Sequence, residues 1–470
     1  MVTIWAPEID ESPGVPRYVA IADAIANDID RGALRDGARL PTHRDLAERL
    51  GVTVGTVTRG YAEAERRGLT VGEVGRGTFV RTRTDPEGFG WMEAAQVGTD
   101  GSVIDMSLAC LWVPPDGEDG RALGATLAEI ARSHGLDELV AYDPATAPYR
   151  HRTIAAEWIE SMGLHVPPDQ LVVTNGAQHA ITAILASHLR PGDTLLAAHL
   201  TYPGLKAVAQ MLGLQLRGVA MDEEGIEPDA LAAACRDHGA RALYCIPTIQ
   251  NPTSATMSAG RREEIANIAR RHGLTLIEDQ IHVGAPGEHP TPLAAFAPER
   301  TLFVATLSKW ATFGLRIGFV AAPESAAERV RSAVRSSLWM PAPLMTEIAT
   351  RWIANGTAAR LAETKLRELA ARHEIVREVL GDRFHVRTDP RAPYLWIELP
   401  EPLRSDECVV QARQRGLSIA GAEAFTVGRD VPHAVRVSIA PVPHREQVRK
   451  GIRTLAEILS GTVDPRTDIL

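Results

Sequence analysis

Lysine is nearly missing from this chain: Lys206, Lys309, Lys365 and Lys450 are the only four in 470 residues. Arginine carries the remaining positive charge, so each lysine can be weighed individually. The four cysteines, Cys110, Cys235, Cys245 and Cys408, are scattered without a C-x-x-C pair. That pattern excludes a small disulfide-stapled scaffold and makes reduced thiols in a cytoplasmic chain the expectation. The opening "MVTIWAPEID" lacks a basic stretch followed by an apolar one, so no secretory signal is expected. No uncharged apolar run reaches the ~18 residues of a membrane span, so no membrane partner is expected either. There is no HExxH, no histidine spacing that points to a metal, and "GEVGRG" lacks the spacing of a dinucleotide loop. With a formal net charge of −9, any nucleic-acid surface must be local.

The composition, 45 % hydrophobic and 23 % charged, is that of an ordinary globular protein, and the length suits two or three domains. Residues 12–82 are rich in arginine and carboxylates. "RYVAIADAIANDIDRG" has apolar residues at helical spacing with Gly32 as a stop. "PTHRDLAERLG" and "VGTVTRGYAEAERRG" form two short helices about a tight turn, a helix-turn-helix pattern. "LTVGEVGRGTFV" reads as two short strands about a glycine-rich turn, a wing. Residues 83–104 are polar and aperiodic, a linker. Residues 105–470 alternate apolar strands with long alanine-rich helices, predicting an α/β domain with a mostly parallel sheet. From roughly 330 to 470 charged helices precede three strands, "YLWIELP", "LSIAGAEAF" and "AVRVSIAP", predicting a small α+β subdomain.

Five strand ends in the large domain carry unusual residues, and ligands bind beyond the carboxyl ends of parallel strands. At "VVTNGAQHAI" a strand passes through Gly176 into a helix whose free N–H groups suit a phosphate. Tyr202 in "HLTYPG" offers a flat ring, Asn251 in "PTIQNPTSA" a neutral donor, and Asp279 in "TLIEDQIH" an anion. Lys309 closes "VATLSK" with Thr306 and Ser308 beside it and Arg316 downstream. An amine, a ring anion, a donor, an aromatic face and a phosphate cradle are what pyridoxal phosphate requires. One ligand would account for both buried cations, Lys309 as a neutral imine and Arg316 as a phosphate partner.

Over residues 105–465 the motifs resemble the fold-type I aminotransferases of pyridoxal phosphate, most specifically in "SKWATFGLRIG". The resemblance implies that Lys309 forms the imine, Asp279 pairs with the pyridine nitrogen, Asn251 contacts the phenolic oxygen and Tyr202 stacks on the ring. It implies a phosphate site of Gly176, Ala177, Gln178, Thr306, Ser308 and Arg316, and Arg436 as the grip on an effector or substrate carboxylate. The family's tyrosine two or three residues after the aspartate is replaced here by Ile281 and His282, with His282 standing in as donor. "NPTG" becomes "NPTS", and "YGDPxG" becomes "YDPATAPYR".

The stretch from "GALRDGARLPTHRDL" to "GRGTFV" is similar to the winged helix-turn-helix of the GntR family. Between residues 33 and 83 ten arginines face six carboxylates, a local balance of +4. That suits phosphate contacts on double-stranded DNA. Arg44 would start the first helix of the motif, Thr56, Thr58 and Arg59 would lie on the recognition helix, and Arg76 would tip the wing toward a minor groove. Where the family often has "SRNTV" this chain has "TVGTV". The combined layout resembles the MocR subgroup of bacterial regulators. That implies a homodimer binding a DNA operator and sensing pyridoxal phosphate or an amino-acid-like compound reacting with it. The alternatives are a working aminotransferase with a vestigial DNA-binding domain, and a regulator whose large domain has lost its cofactor and only dimerises.

Overall fold

A computed structural model describes residues 5, 7, 16–31, 33–35, 37–67, 69–73, 77–80, 103–114, 117–133, 135–143, 145–282 and 290–461. These fall into two compact units, one of residues up to 87 together with 428–432 and one of the rest.

In the smaller unit, α1 (Arg17–Asp30), α2 (His43–Leu50) and α3 (Val54–Arg66) precede the strands β1 (Thr70–Glu73) and β2 (Gly77–Val80). Each helix of the motif starts on a threonine. The Thr42 hydroxyl accepts the Asp45 N–H and the Thr53 hydroxyl accepts the Thr56 N–H, satisfying donors that the first turn leaves free. Gly51, at φ +61, closes α2 in the left-handed conformation that glycine adopts without strain. Ile21, Ile25, Leu46, Val57 and Tyr61 form the buried core, and the Tyr61 hydroxyl donates to Pro41 O at 2.9 Å. β1 and β2 pair antiparallel, Thr70 opposite Val80, as the wing pattern predicts. Gly32, Gly68 and Arg76 lie outside the described residues.

The larger unit opens with β3 (Ile104–Asp105), α4 (Glu118–Arg132) and α5 (Tyr149–Glu160). Then follow β4 (Leu171–Thr174), α6 (Gly176–His188), β5 (Thr194–Ala198), α7 (Pro203–Met211) and β6 (Gln215–Val219). A hairpin, β7 (Met221–Asp222) and β8 (Gly225–Ile226), leads to α8 (Pro228–His238), β9 (Ala242–Cys245), α9 (Ala259–His272) and β10 (Thr275–Asp279). The short α10 (Leu293–Phe296), β11 (Thr301–Thr306) and β12 (Gly318–Ala321) complete a seven-stranded sheet in the order β4-β12-β11-β10-β9-β5-β6. Only β12 runs antiparallel. Alternate residues point to opposite faces: Val172, Val304 and Val320 pack with α6 and with α11 (Glu324–Leu338), while Val173, Phe303 and Phe319 pack with α5 and with α12 (Pro343–Ala354). Both faces are therefore covered, which explains why the strands read as unbroken apolar runs.

After α13 (Thr357–Leu380) come β13 (Val386–Arg387), β14 (Tyr394–Glu398), α14 (Ser405–Gln414), β15 (Leu417–Ser418), β16 (Ala420–Gly421), β17 (Ala434–Ser438) and α15 (Arg445–Leu459). Four of these strands form a sheet in the order β13-β14-β17-β16. The small core gathers residues from Leu369 onward together with Met106, while α11 and α12 pack on the large sheet. "LSIAGAEAF" is not one strand. β15 pairs with β3 and β16 with β17, and residues 422–424 turn into a 3-10 helix. The Ser405 hydroxyl accepts the Ala422 N–H at 2.9 Å and donates to the Glu423 carboxylate at 2.8 Å, fixing that turn. Among the described residues no helix is long and apolar enough to cross a membrane.

In the smaller unit, an added Cβ at Gly60 would sit 2.9 Å from Ile21 Cβ, so α3 lies on α1 only because this residue has no side chain. Gly60→Val should destabilise that unit by about 1–3 kcal/mol, seen as an earlier thermal transition in the full chain. An unchanged transition would contradict this packing.

Candidate functional site

The parallel strands end on one edge of the sheet, and their order sets which residues meet there. Lys309 follows β11, Asp279 ends β10, Asn251 lies beyond β9 and Tyr202 lies beyond β5, so four adjacent strands each deliver one residue. Gly176 opens α6 directly after β4. Arg436 arrives from the central pair of the small sheet, on β17.

Asp279 is 1 % exposed. Its Oδ2 accepts the Tyr244 hydroxyl at 2.6 Å, whereas Oδ1 is buried without a partner among the described residues. Burial lifts the carboxyl from 3.8 to about 7, against the Tyr244 hydrogen bond and the nearby Lys309 charge, which favour the anion. A buried carboxylate oxygen without a donor is costly, and a ring N–H would supply one. Lys309 is partly buried, and its Nζ donates to Ala109 O at 2.6 Å. Burial brings its ammonium down to about 8. Arg436 and Arg316 act in the same direction, and Cys110 and Asp279 oppose it.

At the other end, Gly176 has φ +78, and an added Cβ there would lie 2.8 Å from Arg316 Nη2. Arg316 itself holds φ +52, an uncommon conformation for a residue with a side chain, and its guanidinium lies over the Phe313 ring at 4.8 Å. Gly318 is as constrained, since a Cβ there would meet Gly176 C at 2.8 Å and Ala177 N at 3.1 Å. The Thr306 and Ser308 hydroxyls are 3.0 Å apart. Asn175 makes no side-chain cap on α6, so the free N–H groups of that helix start lie beside the Arg316 guanidinium, a setting that suits an anion. The Thr306 hydroxyl is already donated to Ile317 O at 2.8 Å. Gln178 Nε2 donates to Gly204 O at 3.0 Å. The Tyr202 ring lies so close to Gly204 that a Cβ would sit 2.3 Å from it. Burial, with Asp279 nearby, pushes the Tyr202 phenol up to about 12.

Arg436, 2 % exposed, donates through Nη1 to Asn251 Oδ1 at 3.0 Å and through Nη2 to Ser107 O. Its guanidinium carbon lies 5.4 Å from the Tyr394 ring centroid and 4.7 Å from that of Phe425. Its buried Nε has no partner among the described residues. Burial lowers its pKa to about 10, leaving the group charged at neutral pH. Asn251 Oδ1 is thereby an acceptor, and the amide nitrogen remains as its donor. His282 is placed differently from the expectation of a spare donor. The Tyr394 hydroxyl donates to Ile249 O at 3.1 Å, so its contact with His282 Nε2 at 3.1 Å makes that nitrogen the protonated one. Burial, with Lys309 and Arg436 nearby, drops the imidazole to about 3 and keeps it neutral.

The sequence reading missed Tyr244, Tyr394, Phe425 and the carbonyls of Ser107 and Ala109. Tyr244 had a signal, as a lone phenol in the apolar run "RALYCIP" needs a partner when buried. The carbonyls had none, because backbone contacts across more than a hundred residues leave no trace in composition. Arg44 and Arg59 are exposed on α2 and α3 of the smaller unit, with Thr58 exposed and Thr56 partly buried. The residues present fit pyridoxal 5′-phosphate at three of its polar points: Asp279 Oδ1 for the ring nitrogen, the start of α6 for the phosphate, and Lys309 for the aldehyde.

Residues 127–455 match the aminotransferase class I and II family, and residues 17–80 match the bacterial regulatory proteins of the gntR family. An uncharacterized HTH-type transcriptional regulator of Bacillus subtilis, YdeF, is 30 % identical over 97 % of this chain and 96 % of its own. The HTH-type pyridoxine biosynthesis transcriptional regulator PdxR of Corynebacterium glutamicum is 28 % identical over 88 % of this chain and 90 % of its own. Among solved structures, an archaeal alanine:glyoxylate aminotransferase superposes with a TM-score of 0.72 at 21 % identity, over 86 % of this chain and all of that one. The multiple-substrate aminotransferase of Thermococcus profundus gives a TM-score of 0.70 at 23 % identity, over 81 % of this chain and 96 % of that one. These two likenesses show the fold.

Only the uncharged amine of Lys309 attacks an aldehyde, and that amine loses its proton near pH 8. The rate at which cofactor-stripped protein captures added pyridoxal 5′-phosphate should therefore rise about tenfold per pH unit below 8 and level above it. Rapid-mixing absorbance, with Lys309→Ala as the blank, reads this. A profile still climbing past pH 10 would show an ordinary, unperturbed lysine.

Proposed function

The chain belongs to the aminotransferase class I and II family over residues 127–455 and carries a gntR-family segment over 17–80, and on that premise we propose that it is a DNA-binding transcription regulator. Its larger unit holds pyridoxal 5′-phosphate and senses that cofactor or an amino compound condensing with it. The observation that carries the reading is the buried, unpartnered Asp279 Oδ1 on the strand next to the one that delivers Lys309. The regulator relatives, aligned over nearly the whole chain, support this over a turnover enzyme with a vestigial front domain. The printed name of the Corynebacterium relative, which refers to pyridoxine biosynthesis, supports a vitamin-B6-type ligand.

When bound, the cofactor supplies an aldehyde that captures primary amines. The chain's own residues do the rest. Lys309 keeps a sizeable uncharged fraction at physiological pH. Asp279 balances the ring nitrogen. Gly176, Ala177, Gln178, Thr306, Ser308 and Arg316 would hold the phosphate, and Tyr202 would lie against the ring. Arg436, clamped between two aromatic faces, offers a carboxylate of the effector a fixed cation. Asn251 ties that arginine to the large sheet at 3.0 Å, so a ligand pulling on Arg436 also acts on the seam between the two sheets. A regulatory response needs the ligand to favour one of two arrangements.

The winged helix-turn-helix is assigned to residues 12–82, the linker to 83–104, of which 83–102 lie outside the described residues, and the aminotransferase-like part to 105–470. Arg44, Thr56, Thr58, Arg59 and Arg76 make up the DNA face. A second copy of this chain is assigned to the apolar surface around Tyr142 and Trp339, which are 50 % and 70 % exposed and lie ring-edge to ring-face at 5.8 Å.

Protein purified with pyridoxal 5′-phosphate should show a visible absorption band that Lys309→Ala abolishes. A variant that keeps the band would move the covalent attachment elsewhere. In parallel, the full chain should retain short random-sequence duplexes at low salt, and Arg59→Ala should lower the salt slope by about one. An unaltered slope would remove Arg59 from the DNA face.

A further inference from the structure

The exposed face of α3 differs from a hydrogen-bonding reader of bases. In a helix-turn-helix the second helix enters the major groove and its N-terminal residues meet the base edges. Here Val57, Gly60, Tyr61 and Ala64 are buried in the domain, which leaves Val54, Gly55, Thr58 and Arg59 outward. The threonines are engaged within the motif. Thr58 Oγ1 gives its single hydrogen to Val54 O at 3.0 Å and therefore accepts from His43 Nδ1 at 3.1 Å. The Thr56 and Thr53 hydroxyls are paired at 2.9 Å, and Thr53 Oγ1 also caps the helix by accepting the Thr56 N–H at 3.1 Å. The Thr58 hydroxyl therefore has no hydrogen left to give a base, and the Thr56 hydroxyl is already partnered.

The Val54 side chain and Gly55 carry no hydroxyl to be engaged in this way. Val54 stands at the first helical position with 44 % of its surface exposed, outside the buried core. Gly55 is a poor helix former, yet an added Cβ would meet nothing nearer than Thr53 Oγ1 at 3.8 Å. Packing within the domain therefore does not require a glycine there. A bare backbone beside an exposed branched side chain suits close approach of an outside surface. The local balance of +4 between residues 33 and 83 makes that surface polyanionic.

Resting on the DNA-binding reading, we infer that Val54 reads thymine through its 5-methyl group in the major groove, with Gly55 giving the helix room to seat. Among the four ordinary bases only thymine presents a methyl there, and apolar side chains are its partners. Uracil keeps the same hydrogen-bonding edge and lacks the methyl. 5-Methylcytosine carries the same group, so the probe must exclude it.

The test uses the full chain and two random-sequence duplex libraries made by polymerase copying, one with thymidine and one with deoxyuridine, neither containing 5-methylcytosine. The thymidine library should enrich a motif with thymine at a fixed position. Replacing that thymine alone by uracil should weaken binding about fourfold, the effect of one buried methyl-sized group. Val54→Ala should bring the thymine-to-uracil ratio close to one, and Val54→Ile should keep it. Equal affinity for thymine and uracil at every enriched position overturns the inference and leaves DNA binding standing. Retention of neither library at low salt overturns DNA binding itself and the inference with it.

Discussion

A carboxylate with one satisfied oxygen and one bare oxygen, fully withdrawn from water, is the constraint around which the larger unit is organised. Tyr244 serves Asp279 Oδ2, and among the described residues nothing serves Oδ1. The sign of the consequence is definite. A carboxyl raised from 3.8 to about 7 costs the fold nothing below the ordinary value, costs more as pH rises between the two, and costs a constant amount above. That strain, on the order of a few kcal/mol, is relieved by a cationic N–H at Oδ1. A ligand that supplies one is stabilised by the same interaction that relieves the fold.

The other groups are positioned by the same sheet. Parallel strands bring Lys309, Asp279, Asn251 and Tyr202 to one edge in spatial order. The antiparallel β12 matters because Gly318 at its start allows Gly176 and the end of α6 to close in on Arg316. The small sheet contributes Arg436, whose hydrogen bond to Asn251 spans 185 residues of sequence. Tyr394 joins the two parts again, with its ring beside Arg436 and its hydroxyl between Ile249 O and His282. The site is therefore a seam between two sheets, a suitable place for a small ligand to alter a larger arrangement.

Much of this was legible in the chain because strand-to-loop transitions leave marks. A lysine, an aspartate and a glycine each ending an apolar run predict Lys309, Asp279 and Gly176 at one sheet edge. The helix-turn-helix was legible too, since its two short amphipathic helices and the turn between them are contiguous in sequence. What escaped depended on contacts distant in sequence. The Tyr394 clamp, the Ser107 and Ala109 carbonyls and the splitting of "LSIAGAEAF" between two sheets have no local signature. His282 illustrates the limit. Its identity suggested a spare donor, but only the Tyr394 geometry reveals that its Nε2 hydrogen is already engaged.

The most direct test of the account is the protonation state of the cofactor's ring nitrogen, read by nitrogen-15 NMR of labelled pyridoxal 5′-phosphate bound to the full chain. With Asp279 in place the nitrogen should remain protonated through neutral pH and above, and Asp279→Asn should release that proton. A nitrogen that is unprotonated at neutral pH in the unaltered chain would contradict the pairing on which the site is built.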